Sequence, residues 1–202
     1  MVLNPVMIDD FLSNYSLNGE ILPVIKYPDI ILSKKSALVE SFDDHLVQHC
    51  KNMLFTMYQA PGIGLAAPQV GISKRFFVLD IDFDREEFTN SKGEVEFRYS
   101  GFSPQVYINP KILETQGEIL YQEGCLSVPG VYEDVKRFEK IVVEYQDLLG
   151  QKQQLTAEGL LSICIQHETD HLNGVVFIEK LSSIKRNFYK KKLEKEKKRK
   201  VL

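Results

Sequence analysis

The segment Glu158–Asn173 constrains the fold of this chain more than any other. Leu160, Leu161, Ile163, Cys164 and Ile165 put apolar side chains on most sides of a helix before His167, and Gly174 stands at its end. Such a helix belongs in a core, so the rest of the chain has to enclose it. Yet it also carries His167-Glu168-Thr169-Asp170-His171, and buried imidazoles need partners. Residues four apart on a helix lie within about 40° of one another and about 6 Å along the axis, so both rings can grip one metal ion. Glu168 then lies beside a water on that ion, in the position of a general base, and the ion lowers the water's pKa towards about 7. The plainer alternative is a chance H-E-x-x-H on a surface helix, and the apolar neighbours argue against it.

Two histidines leave the class open until a third ligand is found. The chain has 4 histidines, and none follows His171. The longer pattern H-E-x-x-H-x-x-G-x-x-H is met as far as Gly174, but its last place is Phe177. Glu194 and Glu196 lie in a basic tail, and Glu179 follows too closely for a return helix, so an upstream ligand is expected. Cys125, in Glu123-Gly124-Cys125-Leu126-Ser127, would complete a three-ligand site with an open fourth position, a catalytic rather than a structural arrangement. On its own it also reads as a small buried apolar residue. Cys50 and Cys164, on apolar helix faces, are assigned to packing. His45 and His49 also sit four apart, but on a polar helix face with Asp44, Gln48 and Asn52. The stretch from Gly62 to Gly71 is rich in small residues that let a backbone approach a ligand, and Gln69 offers an amide that could donate to a developing oxyanion. A run of this composition is also an ordinary turn, and it lacks the lysine of a nucleotide loop.

Length and composition set the frame. A chain of 202 residues suits one compact domain over 1–202, and 44% hydrophobic with 26% charged residues excludes a disordered, collagen-like or membrane-spanning protein. The uncharged run Asn52–Ser73 contains Pro61, Gly62, Gly64, Pro68 and Gln69, which a spanning helix would not tolerate. Lys185–Lys200 carries a local net charge of +8 within a total of −3, leaving −11 on the remainder. Broad nucleic-acid binding is therefore not expected: no DNA and no membrane partner, with only the basic tail, 182–202, able to meet a polyanion such as RNA. Three scattered cysteines and no secretory or transit pattern at the start fit a reducing cytoplasm.

Local patterns give the elements. Residues 1–20 read as a polar, irregular extension. A helix is expected from Asp43 to Gln59, with Ser41 able to cap it, then a loop, then a strand over Arg75–Ile81. Residues 83–104 form a surface insertion, expected as a hairpin around Ser91-Lys92-Gly93 that could border a cleft. Strands follow at Gln105–Ile108, Ile112–Tyr121, Lys140–Asp147 and Gln151–Thr156, the last two joined by a turn at Leu148-Leu149-Gly150. After the helix at Glu158–Asn173, Tyr189–Val201 could form a largely solvated third helix.

Gly62–Gln69, Glu123–Ser127 and His167–His171, in this order, resemble the peptide deformylase family, whose motifs have the form GφGxAAxQ, EGCφS and HExxH, with φ apolar. The resemblance covers roughly Ile21–Leu181. It implies an α+β fold in which antiparallel sheets surround a central metal-binding helix, with one further helix in the N-terminal half and one at the C-terminus. It implies removal of the formyl group from the N-terminal formyl-methionine of new polypeptides, with release of formate. Carried over residue by residue, Cys125, His167 and His171 hold one Fe²⁺ per chain, which Zn²⁺, Ni²⁺ or Co²⁺ could replace. Glu168 moves the proton, and Gln69 with the Leu126 backbone N–H stabilises the oxyanion. Gly62 is among the implied substrate-binding residues, backbone groups at Ile63, Gly64 and Gly124 pair with the substrate as an added strand, and Ile63, Tyr121, Leu160, Ile163 and Cys164 line the methionine slot. The implied partners are formyl-methionyl peptides and nascent chains, with ribosome contact through the tail. Tyr132 departs from the pattern, because many bacterial members are expected to carry Arg there. The competing readings are a metallopeptidase cleaving within peptides and a metal-bearing protein that only binds.

Overall fold

The computed structural model describes residues 11–200. Residues 1–10 of the expected extension, and 201–202 at the other end, lie outside the described residues. In chain order the elements are α1 (Asp44–Gln59), β1 (Gly64–Ala66), β2 (Phe76–Leu79), β3 (Asp84–Thr89), β4 (Val95–Ser100), β5 (Gln105–Gln116), β6 (Ile119–Cys125), β7 (Val128–Arg137), β8 (Lys140–Gln146), β9 (Lys152–Glu158), α2 (Gly159–Leu172) and α3 (Ser183–Lys200). Short 3-10 turns lie at Ile30–Ser33, Ala67–Val70 and Phe177–Lys180. Every pairing between these strands is antiparallel: one sheet runs in the order β1-β2-β5-β8-β9, and β3–β4 and β6–β7 form separate two-stranded ribbons. The fold is α+β.

The run Phe76-Phe77-Val78-Leu79 is apolar throughout because the sheet is covered on both faces. Side chains alternate along a strand, so Phe76 and Val78 join Val106 and Ile108 against Leu46, Cys50, Met53, Leu54 and Met57 of α1. Phe77 and Leu79 point the other way, towards Tyr107, Ile141, Val143 and Ala157 and, from α2, Cys164, Ile165 and Leu172. The helix expected to need enclosure thus packs against β1, β2, β8 and β9. Among the described residues, no helix is long and apolar enough to cross a membrane.

Several boundaries differ from the sequence reading, each for a local reason. Asp43, not Ser41, caps α1, its carboxylate accepting the Leu46 N–H at 3.0 Å. The Gly62–Gly71 loop holds a short strand, β1. The expected break after Ile108 is absent: Asn109 adopts φ 52°, its side chain bonds Val39 and Gln146, and β5 continues through a bulge. The strand expected over Ile112–Tyr121 is interrupted at Gly117, at φ 67°.

The two segments read as surface appendages are anchored together. Phe11, Leu12, Tyr15 and Leu17 of the extension pack on the α1 side of the core. Tyr15 and Phe102 stand 5.4 and 4.9 Å from the Tyr58 ring, and Phe83 stands 4.8 Å from it on the insertion. The β3–β4 hairpin turns at Ser91-Lys92-Gly93 as expected, but no residue of 83–104 lines the cleft described below. Buried Asp80 ties this region down, accepting from the Tyr58 hydroxyl at 2.6 Å and from the Ser103 and Asp82 N–H groups.

The last helix starts at Ser183, six residues before the expected Tyr189. It is docked as well as solvated: Leu193 is buried, Tyr189 packs beside it, and Glu133 of β7 accepts from Lys185 Nζ at 2.6 Å and from the Tyr189 hydroxyl at 2.8 Å.

Tyr58→Phe leaves a buried carboxylate short of one donor and should destabilise the protein by about 1–3 kcal/mol, read as a lower urea midpoint with unchanged m. Hydrogen bonds from Lys185 and Tyr189 hold the Glu133 carboxyl below the usual carboxylate range. A lowered carboxylate contributes stability above its unfolded-state pKa and loses it as pH falls through the folded one. The thermal midpoint should therefore exceed that of Glu133→Gln at neutral pH, and the gap should close on acidification.

Candidate metal centre and substrate cleft

Three elements meet at the site. β9 passes into α2 through Gly159, at φ 57°, and α2 carries His167 and His171 one turn apart. β6 delivers Cys125 at its last position, where a register shift after Glu123 turns the strand towards the helix. The result is a group in which Cys125 Sγ, His167 and His171 offer donor atoms all within 4.8 Å of one another. Cys125 Sγ lies 3.3 Å from His171 Nε2. Among the described residues this is the one such cluster, and His45 and His49 are both exposed on α1.

The charges around the cluster call for a cation. Arg137, at the end of β7 and 3% exposed, grips both oxygens of Glu123 at 2.6 and 2.9 Å and also donates to Asp170 of α2. Glu123 Oε2 in turn lies 2.8 Å from His167 Nδ1. Burial opposes ionisation of Glu123, but Arg137 and then His167 outweigh it and hold its pKa at about 2. The ionised carboxylate accepts a hydrogen bond from Nδ1–H, so Nε2 is the nitrogen with a lone pair to give. Burial likewise disfavours a charged His167, but hydrogen bonds with Cys125 and Glu123 reverse the balance and raise its pKa well above the usual value. His171 goes the other way, pushed well down by burial and by the neighbouring His167 charge. A site that draws positive charge between a thiol and carboxylates suits a divalent ion, and the thiol with two imidazoles is a donor set that borderline metals accept.

Glu168 lies beside this cluster. Burial pushes its pKa up to about 7, with Glu123 and Asp170 adding to the rise and His167 and Arg137 opposing it. Its Oε2 is buried without a hydrogen-bond partner, and Glu168 is one of the residues lining the cleft described below. β1 passes so close that a Cβ on Gly64 would stand 2.5 Å from Glu168 Oε1. Gln69, in the 3-10 turn after β1, has its amide fixed: Oε1 accepts the Ala66 N–H at 2.7 Å, and Nε2 donates to Ser127 Oγ at 3.2 Å and sits 3.5 Å from Cys125 Sγ.

A cleft of about 470 Å³ opens onto these groups. Gly62, Ile63, Gly64, Gln69, Gly124 and Leu126 line it, as do Tyr121, Leu160, Ile163 and Cys164. Ile163 and Cys164 are nearly buried, whereas Ile63 and Tyr121 stand partly exposed. Cys164 is pushed up to about 12 by burial and stays a neutral thiol. Cys164, assigned from its helix face to packing and from the resemblance to the slot, serves as both a core residue and a cleft wall. Tyr132 lies over Gly124, where a Cβ would come within 2.6 Å of its ring. The sequence reading missed the parts played by Arg137, Asp170 and the Ser127 hydroxyl. Only Ser127 had a signal, its place in the cysteine motif.

A thiol, two imidazoles and an adjacent buried carboxyl at the end of an open cleft define a metal-dependent hydrolase. The sequence model of the family described as polypeptide deformylase matches residues 21–187, and the chain belongs to that family. It is 47% identical over 178 residues to the peptide deformylase of Chromobacterium violaceum, covering 88% of this chain and 97% of that one. It is 45% identical over 181 residues to peptide deformylase 2 of Xanthomonas axonopodis pv. citri, with the same shares. The fold is similar to that of a peptide deformylase from Legionella pneumophila, at TM-score 0.73 and 41% identity over 90% of this chain and 98% of that one. It also resembles the Synechococcus elongatus peptide deformylase in complex with actinonin, at TM-score 0.72 and 43% identity over 86% of each.

The Gly64 contact generates a prediction. Gly64→Ala forces Glu168 aside and should lower kcat by about 10²-fold while the protein still takes up metal. Gly62→Ala meets only the end of the Leu126 side chain, at 2.9 Å, and should cost far less. Parallel kinetics and metal analysis on the two variants check this.

Proposed function

We propose that this chain acts as one catalytic domain that hydrolyses the N-formyl amide of formyl-methionyl peptides, leaving formate and a free amino terminus. The observation that carries the reading is the convergence of Cys125, His167 and His171 beside Glu168, inside a chain of the polypeptide deformylase family. A divalent ion held by those three side chains would lower the pKa of a coordinated water towards about 7 and so supply hydroxide at neutral pH. Fe²⁺ is the ion we assign, one per chain, with Zn²⁺, Ni²⁺ or Co²⁺ as substitutes. α2 is then the metal-binding helix around which the sheets are arranged.

Glu168 takes a proton from the attacking water and returns it to the amine as the C–N bond breaks and the new C–O bond stays with formate. Burial lifts the Glu168 carboxyl above the ordinary carboxylate range, which suits a group that must both accept and return a proton. Gln69 Nε2 and the Leu126 N–H stabilise the oxyanion of the tetrahedral intermediate. Gly62, Ile63, Gly64 and Gly124 receive the peptide backbone as an added strand, which places few demands on later side chains. The methionine side chain enters the slot formed by Ile63, Tyr121, Leu160, Ile163 and Cys164.

We place the enzyme in the cytoplasm, acting on nascent chains without DNA or membrane partners, in keeping with three free cysteines. The basic α3 would bring it to the ribosome by contact with RNA, which should weaken as salt rises.

Formate release from formyl-Met-Ala-Ser, by protein prepared anaerobically with Fe²⁺, tests the reading. Wild type should turn over, Glu168→Ala should be slower by about 10²–10⁴-fold, and an unformylated peptide should remain uncleaved. Cleavage of the unformylated peptide would favour a metallopeptidase, and full activity in Glu168→Ala would remove the assigned base.

A further inference from the structure

Ile25, Lys26 and Tyr27 make contacts that a metal cluster does not itself require. The Ile25 N–H donates to the Gln69 carbonyl at 2.7 Å, and the Tyr27 N–H donates to the Ser127 carbonyl at 2.9 Å. Between them, Lys26 Nζ donates to the Leu126 carbonyl at 2.6 Å. One short irregular segment therefore spans two pieces of backbone, at Gln69 and Ser127, that are 58 residues apart in sequence. Its ends are fixed, because Ile25 and Tyr27 pack with Val128, Val176 and Phe177.

The two bridged pieces carry the Gln69 amide and the Leu126 N–H. Both donors must lie about 2.7–3.1 Å from the place where negative charge develops, so their spacing matters more than either position alone. Gln69 is already held by Ala66 and Ser127. Leu126 occupies the tight connection between β6 and β7, where the neighbouring Cys125 pairs with Val128. Leu126 is not among the paired residues of that ribbon, and its carbonyl accepts a hydrogen bond from the Lys26 ammonium. A charge-assisted bond is stronger than a neutral one, and at the exposed Lys26 solvent screens part of that gain.

We propose that Lys26 is a positioning residue for deformylation: its bond to the Leu126 carbonyl holds the Leu126 N–H at the spacing from Gln69 that lets both donate to one oxyanion. The proposal rests on the reading of Gln69 and Leu126 as the oxyanion donors.

The test uses the full-length, metal-loaded enzyme and formyl-Met-Ala-Ser. Lys26→Met keeps the aliphatic stem and removes the ammonium, whereas Lys26→Arg retains a donor. Lys26→Met should lower kcat about tenfold, with KM within about twofold, and Lys26→Arg should restore most of the loss. Amide exchange over Cys125–Ser127 should become faster in Lys26→Met, with metal content and thermal midpoint unchanged. Unchanged kcat and exchange would overturn the proposal. So would a raised KM at unchanged kcat, which would place Lys26 on the peptide, or a loss of metal or stability that tracks the loss of rate. Gln69→Ala, expected to lose about 10²-fold in kcat, separates the two readings. Its loss beside a fully active Lys26→Met removes the Lys26 proposal alone, whereas full activity in Gln69→Ala removes the oxyanion reading and the proposal with it.

Discussion

The buried Arg137 guanidinium is the interaction on which the site depends. Three elements need it: β6 through Glu123, its own strand β7, and α2 through Asp170, which Lys180 also approaches at 3.0 Å. A buried pair of charges is weak evidence for stability, since desolvation offsets most of the attraction. Its consequence is geometric. Removing either partner would leave an uncompensated buried charge, so the ribbon and the helix have one relative placement in which all charges are paired. That placement also sets Glu123 against His167 Nδ1, which fixes the ring whose other nitrogen faces the cluster.

Close backbone approach is the second constraint, and it explains why small residues collect at the cleft. Gly64 admits the Glu168 carboxylate and Gly124 admits the Tyr132 ring, and in each case a methyl group would occupy space that a functional wall already fills. Close packing of the walls and access for a substrate backbone are met by the same substitution of hydrogen for Cβ.

Legibility in the sequence followed the range of the interactions. α1 and α2 were readable to within a residue or two because their apolar periodicity is local. β1 was missed because Gly-Leu-Ala has no strand preference and exists through its pairing with Phe77–Leu79. β7 was missed because Pro129-Gly130 reads as a turn, although Gly130 at φ 72° lies within the strand. At the site, the Cys125, His167 and His171 cluster and Glu168 were legible in two short motifs, and Gln69 in a third. Arg137 and Lys26 were not, because each acts across a fold-dependent contact with residues 14 and 100 positions away.

α3 shows how a charged segment can be both solvated and structurally committed. Its composition alone suggests a free basic tail, yet Leu193 is buried, and Lys185 and Tyr189 converge on Glu133. Glu133 directly follows Tyr132, which covers Gly124, and it pairs across the ribbon with Glu123. The docked end of the helix therefore braces the strand that forms one wall of the cleft, while Ile184 and Phe188 remain exposed. The docked end of the tail and the cleft wall are thus neighbours in space, joined through Glu133 and Tyr132, although the sequence places them far apart.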